Sequence, residues 1–245
     1  MGLRTLATRL RKLVGILATN NYRHALLRHG VTAGVEHESL LRGTQYKTAV
    51  DIGANRGQFA LATRQCVAEA RIFSFEPLPA PAARFRALFE ADTRVTLHEA
   101  AIGPVHGDAT IHISKRDDSS SLLPITDRQN ATFPGTSEVG TAKVKIAPLG
   151  DFLSQSEIES PALLKIDVQG FELQALQGCE PLLNRFDHVY VECSYIELYA
   201  GQALADEVIE WLRERGFRLV GIHNAIHDAA GRTIQADFLF SSGVQ

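Results

Sequence analysis

The chain has 245 residues, 45% of them hydrophobic and 22% charged, with a formal net charge of −3. That length holds one large α/β domain with or without an appendage; the balance excludes a disordered chain and makes no demand for nucleic acid. Three cysteines (Cys66, Cys179, Cys193) are odd in number and form no CxxC pair, the usage expected of a reducing, cytoplasmic compartment.

Charge is unevenly placed. Residues 1–30 carry six basic side chains (Arg4, Arg9, Arg11, Lys12, Arg23, Arg28) and no acid, which leaves 19 basic against 28 acidic residues, a net of −9, for the rest. Leu3, Leu6, Leu10, Leu13, Val14 and Leu17 recur at helical spacing, so an opening helix has one apolar face with the arginines elsewhere. A basic amphipathic helix over residues 1–18 either lies on the inner face of an anionic membrane or packs its stripe on the main domain. Its longest apolar run, residues 13–18, is too short to span a bilayer. Gly30, Gly34 and Gly43 break residues 20–45 into short helical pieces. Residues 1–45 are thus an N-terminal helical extension ahead of one domain over 46–245.

From there the pattern alternates. Residues 50–52 form a short buried strand, 58–69 a helix, 72–75 a second strand, 81–90 a helix with proline in its first turn, and 95–98 a third strand. Residues 109–114 and 142–147 alternate apolar and polar side chains as half-exposed antiparallel strands do. Between them, the polar stretch 115–141 has the length of a lid or binding loop. The alternation resumes with a short helix over 149–155 and an apolar strand over 162–167, interrupted only by Lys165. A helix over 171–183, a strand over 188–193, a helix over 203–215 and a strand over 217–222 follow. The last strand, 236–241, comes after too short a connection for a helical crossover, so it pairs antiparallel with the strand before it. The expected fold is α/β: a mostly parallel seven-stranded sheet with an antiparallel last strand and an inserted β-hairpin and loop over about 109–147.

The first strand runs through Asp51-Ile52-Gly53-Ala54-Asn55-Arg56-Gly57 into its helix, and the second ends on Glu76-Pro77. A strand, a glycine turn, a helix and a second strand ending in a carboxylate make a nucleotide-binding half-fold. Dinucleotide sites use G-x-G-x-x-G to bring pyrophosphate onto a helix N-terminus. Here Asn55 takes the middle glycine's place and Asp51 adds negative charge, which favours a cationic ligand. S-adenosylmethionine carries a sulfonium and an ammonium. Asp51 is expected to hold its amino-acid end, on a turn shaped by Gly53, Asn55 and Gly57. Glu76, followed by Pro77, offers two oxygens to a ribose diol, and Glu99-Ala100 falls where an adenine amino group is met.

The string Leu163-Leu164-Lys165-Ile166-Asp167-Val168-Gln169-Gly170-Phe171-Glu172, followed by Leu176-Gln177-Gly178, closely resembles the signature of the FkbM-type methyltransferases. The first half agrees through VDIGANRG, Phe75-Glu76-Pro77 and Ala100-Ala101-Ile102-Gly103; Glu99 departs from it, since family members often have Asn there. The resemblance covers roughly residues 48–240. It implies a Rossmann-like class I methyltransferase fold and methyl transfer from S-adenosylmethionine to a hydroxyl, often on a sugar of a glycolipid, glycan or natural product.

Such a transfer is an in-line displacement during which the hydroxyl loses its proton, so a nearby base helps. Ligands gather outside the carboxyl ends of the strands. Asp167, Glu192 and His223 project there, with Asp167 first in line as the base, and Lys165 shares Asp167's strand face. A lysine in an apolar strand needs a partner: either it forms a buried salt bridge with Asp167 or Glu172, or it acts in catalysis by orienting Asp167 or touching the acceptor oxygen. Glu172, in the first turn of its helix, also complements the helix dipole. His98, alone at a strand end, reads as structural. Asp167, Glu192 and His223 could together hold a divalent cation, although their spacing does not demand one and none is favoured. Two other classes stay open: a catalytically silent cofactor-binding module, and a nucleic-acid ribose methyltransferase. The acidic remainder of the chain weighs against the second.

Overall fold

The computed structural model describes residues 15–243, so most of the expected helix over 1–18 falls outside the described residues. Within them, Ile16 is buried in a small cluster with Tyr22, Ala25, Ala33 and Leu61. Among the described residues no helix is long and apolar enough to cross a membrane.

The N-terminal extension contributes α1 (Asn20–His29), a 3₁₀ turn (Val35–His37) and α2 (Glu38–Arg42). Then β1 (Thr48–Ile52), α3 (Gln58–Cys66), β2 (Arg71–Phe75), α4 (Pro79–Phe89) and β3 (Val95–His98) alternate as expected. The inserted region holds β4 (Ala101–Ile102), β5 (Gly107–Ser114), α5 (Asp127–Thr132) and β6 (Glu138–Ala147). After it come β7 (Ala162–Ile166), α6 (Glu172–Cys179), β8 (His188–Ser194), α7 (Ala205–Glu214), β9 (Arg218–His227) and β10 (Thr233–Ser241). Several expected helices are shorter or broken; that over 58–69 ends at Cys66 and that over 203–215 spans Ala205–Glu214. In place of the helix over 149–155 stand two 3₁₀ turns, Leu149–Asp151 and Gln155–Glu157, with residues 152–154 between them, and Pro181 converts the end of the helix over 171–183 to the 3₁₀ stretch Glu180–Arg185.

The main sheet has seven strands in the order β3-β2-β1-β7-β8-β10-β9. The first five strands in that row pair parallel, while β10 runs antiparallel to both β8 and β9. This is the α/β class I methyltransferase fold. Every residue of β1 and β7 is buried, which is why the two strands read as apolar runs. Their side chains alternate between two cores. Val50, Ile52, Leu164 and Ile166 pack with Leu176 and Cys179 of α6 and Val208 and Leu212 of α7. Ala49 and Leu163 face the other way, onto α3 and its neighbours. Each large apolar side chain buried in these layers contributes about 2 kcal/mol. A second sheet, β4-β6-β5, carries the expected hairpin of β5 and β6 and adds β4, two residues long and without a sequence signal of its own.

The turns after β1 and β7 touch. Asp167 N–H donates to the Ile52 carbonyl at 3.1 Å, and a Cβ placed on Gly53 would come within 1.8 Å of the Asp167 carbonyl oxygen. Gly53, at φ 81, is therefore required by the close approach of two protein segments rather than by a ligand. Gly53→Ala is expected to cost about 3 kcal/mol or more in chemical denaturation, through strain and displacement of the β7 turn. Gly135→Ala, also left-handed at φ 90 but with open space around it, should cost only about 1 kcal/mol.

Candidate active site

A cavity of about 470 Å³ opens at the carboxyl ends of β1, β2 and β7. Its floor and walls come from the turns after these strands, the Ala100–Ile102 segment, Ser119–Ser121 of the insertion, and residues 32–37 of the N-terminal extension.

Glu76 marks one end. It is 5% exposed, and its two oxygens accept from Asn55 N–H (2.9 Å) and Leu78 N–H (2.8 Å). Burial pushes its carboxyl up to about 7, and the two N–H groups only partly offset that. Each oxygen keeps a further lone pair, so two hydroxyl donors would satisfy an ionised carboxylate that the protein alone leaves under-bonded. A ribose diol supplies two such donors. The residues present thus fit S-adenosylmethionine, with Ala100, Ala101 and Ile102 offering an apolar surface for an adenine. Asn55 sits in the left-handed region at φ 47, and its side-chain oxygen accepts from Arg56 N–H at 2.9 Å. The asparagine thus stabilises the turn that presents Glu76's N–H partner. Pro77 lines the cavity beside Glu76.

Beneath the cavity lies a buried ion pair. Asp51 and Lys165 are direct cross-strand partners of β1 and β7, with Lys165 Nζ 3.0 Å from Asp51 Oδ1 and 3.2 Å from the Gly53 carbonyl. Burial alone would lower the lysine's pKa, but Asp51 and then Asp167, 3.8 Å away, outweigh it and raise it, so the ammonium is retained. Asp51 is fully buried; burial raises its pKa and Lys165 opposes the shift. Its Oδ2 has no hydrogen-bond partner among the described residues. Asp51 therefore does not face the cavity as a direct ligand for the cofactor's amino-acid end. Because strand residues alternate, it lies on the α3 face under Lys165, which does line the cavity.

On the wall opposite Glu76's turn, at the end of β7, Asp167 lines the cavity and its side chain is 39% exposed. Gln169 links it to Glu192: Nε2 donates to Asp167 Oδ1 at 2.8 Å and to Glu192 Oε2 at 3.0 Å. Tyr199 donates to Gln169 Oε1 at 2.7 Å and Ser121 to the Gln169 carbonyl at 2.6 Å, so the insertion is docked on this turn. Gln235 donates to the other Glu192 oxygen at 2.6 Å. Burial, followed by Asp167 and Asp237, raises Glu192 well above the ordinary carboxylate range. Glu172 accepts from Val168 and Gly170 N–H at 3.0 Å each. Its role is to close the turn that presents Asp167, and burial pushes its own carboxyl up to about 7.

The family's sequence profile, described as the methyltransferase FkbM domain, matches residues 51–219. The chain belongs to this family. It is an S-adenosylmethionine-dependent methyltransferase. It is 31% identical over 169 residues to the 2-O-methyltransferase NoeI of Sinorhizobium fredii, spanning 66% of this chain and 70% of that protein. It is 28% identical over 142 residues to the hexuronic acid methyltransferase AglP of Haloferax volcanii (58% and 54%). To the 31-O-demethyl-FK506 methyltransferase FkbM of Streptomyces tacrolimicus it is 25% identical over 211 residues (74% and 79%).

Within this FkbM-domain enzyme, the structure brings together Gly53, Asn55, Glu76, Pro77, Ala100, Lys165 and Asp167 around one cavity. It does not bring in the others. Gly57 is buried, where a Cβ would strike Phe85 and Phe89. Glu99 is exposed and paired with Arg86, because the chain turns outward at the end of β3 and only Ala100 points back. Glu192 sits behind Gln169 and Gln235. His223 is removed by topology: its register partner is Asp237 of β10, whose own partner on β8 is Glu192. With β8 and β10 between β7 and β9, it lies roughly 14 Å from the β7 row, too far to share a cation with Asp167. Among the described residues no group of three or more such side chains could hold a metal ion. His98 stacks on Phe75 at 4.9 Å, outside the cavity lining. Sequence reasoning missed Gln169, although it stands inside the quoted signature at φ 56, and missed His37 and Gln235, which carry no local signal.

Glu76 gives a pH test. Its folded pKa, about 7, lies above its ordinary 4.5, so between those values the native state holds the extra proton and stability falls as pH rises. Hydroxyl donors favour the ionised form, so S-adenosylmethionine affinity should instead rise from roughly pH 6 to 8. Calorimetry should show proton release on binding near pH 7; Glu76→Gln should weaken binding by about tenfold to a hundredfold and abolish that release.

Proposed function

We infer that this enzyme transfers a methyl group from S-adenosylmethionine to a hydroxyl oxygen of a sugar, carried on a glycolipid, a glycan or a natural product. The observation that carries the reading is Asp167: a partly exposed carboxylate on the wall of the cavity that has Glu76 at its other end. Bound S-adenosylmethionine supplies an electrophilic methyl on sulfur. The chain supplies position and a place for one proton. Glu76 holds the ribose, and Gly53 and Asn55 shape the floor. Asp167 accepts the hydrogen bond of the attacking hydroxyl and then its proton, so that the developing alkoxide is never free. Lys165, 3.8 Å from Asp167 and tied to Asp51 and Gly53, fixes the direction of that carboxylate. Gln169 holds Asp167's other oxygen. Support for a sugar comes from relatives named for 2-O- and hexuronic acid methylation, and from the half-buried Ser120 on the cavity wall.

The test is a screen of p-nitrophenyl glycosides and lipid extracts with mass detection of a product heavier by one methylene. Turnover of at least one glycoside is expected; cofactor binding with no hydroxyl acceptor methylated would overturn the reading. Asp167→Asn should lower kcat by about 10²–10⁴-fold while S-adenosylmethionine still binds. Activity should persist after exhaustive EDTA treatment, because the proton is handled by Asp167 rather than by a cation.

A further inference from the structure

His37 ends the 3₁₀ turn Val35–His37, and its ring lines the cavity. The turn is tied to the domain by Gly34 N–H, which donates to the Gln58 carbonyl at 2.9 Å, and by Phe59, edge-on to the His37 ring at 5.3 Å. Behind the ring is a polar cluster drawn from three strands. Tyr190 of β8 donates its hydroxyl to Asp237 Oδ2 of β10 at 2.8 Å. Asn224 of β9 donates to the same carboxylate oxygen at 2.7 Å and to the Tyr190 oxygen at 3.2 Å. His37 Nδ1 stands 3.1 Å from that phenolic oxygen and 3.8 Å from Asp237 Oδ2.

The donor order follows from the chemistry of the groups. Tyr190's single hydroxyl hydrogen goes to Asp237 Oδ2. The phenolic oxygen then accepts from Asn224 and from His37, which places the histidine's proton on Nδ1. Nε2 keeps its lone pair. It makes no hydrogen bond among the described residues and is not sealed off as His98 Nε2 is; His37 lines the cavity with 17% of its side chain exposed. The backbone is bent to serve this cluster. Asn224 sits at φ 49 where the β9–β10 register shifts, a bulge that turns its amide toward Tyr190 and Asp237. Burial lowers the His37 pKa, as does Lys165, while Asp237, Glu36 and Asp167 oppose; the net direction is downward, toward the neutral ring.

We propose that His37 is an acceptor-binding residue, whose bare Nε2 takes a hydrogen bond from a second hydroxyl of the sugar, beside the hydroxyl that reacts at Asp167. The proposal rests on the O-methyl transfer reading above. It places a specificity element in parts of the chain beyond the family match: His37, Asn224 and Asp237 all lie outside residues 51–219. The ligand class is a neutral polyol donor, since a hydroxyl can donate to Nε2 and an anionic group cannot.

The probe is the p-nitrophenyl glycoside that the wild-type enzyme methylates fastest. His37→Phe keeps a ring and removes Nε2; it should raise the KM for that glycoside by about tenfold, with kcat changed less and S-adenosylmethionine affinity unchanged. His37→Gln returns an acceptor oxygen near the same place and should recover most of the loss. Wild-type KM should rise as pH falls and Nε2 gains a proton, whereas the His37→Gln enzyme should show no such rise. Nitrogen-15 spectra of the protein without acceptor should find the proton on Nδ1, and Asp237→Asn should weaken that preference. A proton found on Nε2, a His37→Phe enzyme with unchanged KM, or one that has lost cofactor affinity would each overturn the proposal. A wild type that binds cofactor but methylates no glycoside sinks the O-methyl reading first, and the acceptor role of His37 with it.

Discussion

An ammonium and a carboxylate, Lys165 and Asp51, are sealed together between two neighbouring strands, and the site stands on top of them. Their separation is 3.0 Å, and the lysine reaches on to the Gly53 carbonyl. Taking either charge out of water alone would cost several kcal/mol, so each strand is stable beside the other only in the register that pairs them. A slip of one residue by either strand would turn its charge to the opposite face, toward the apolar core of α6 and α7, and leave the other unpaired. Removing one partner leaves the other buried and unpaired, a loss of about 3–5 kcal/mol. Because the pair fixes β1 against β7, it also fixes the two turns above it. Gly53 and Asp167 meet there because their strands have no freedom to slide.

Carboxyl groups lie in and behind the cavity above this pair, and each is handled differently. Glu76 has two backbone N–H partners and is left with capacity for two more donors. Glu172 is consumed by the turn it closes. Glu192 has an amide on each oxygen, from Gln169 and Gln235, and is kept back from the cavity. Asp167 stays partly open beside the retained ammonium of Lys165, and Asp117 and Asp118 of the insertion are partly exposed on the same cavity. Such an assembly suits a cofactor that brings positive charge. It also explains how several carboxyl groups coexist in one pocket without a metal-like cluster among the described residues.

Three segments far from the central motifs complete the walls. Residues 32–37 approach from the N-terminal extension, Ser119–Ser121 from the insertion, and Gln235 from the last strand. The insertion is held down rather than left as an open loop: Ser121 reaches the Gln169 carbonyl, Thr126 the Leu198 carbonyl and Gln129 the Tyr199 hydroxyl. Arg56, next to the cofactor turn, pairs with Asp117 of the same insertion. The turns after β1 and β7 are thus joined through the insertion by side chains as well as by the sheet, which favours a preformed cavity over one assembled at each turnover.

Much of this was legible in the chain itself. Apolar runs with a single charge, a glycine turn, Glu76 after an aromatic strand and the Lys165-to-Glu172 string are local patterns, and they determined the strands of the main sheet, the fold class, the family and the placing of Glu76, Lys165 and Asp167 on the cavity. Tertiary structure decided the rest, because side-chain direction and strand order are not local properties. Asp51 looked like a ligand and proved to be Lys165's partner, since alternation along β1 points it under the sheet's α3 face. Gly103 and Gly178, in separate motifs, turn out to pack on each other, where a Cβ on Gly178 would lie 2.6 Å from Gly103 backbone. His223 was carried away from the site, and His37 was brought to it. Both outcomes follow from one topological fact: β10 inserts between β8 and β9, moving β9 to the edge and setting Asp237 beside Tyr190, where a histidine from the N-terminal extension can meet them.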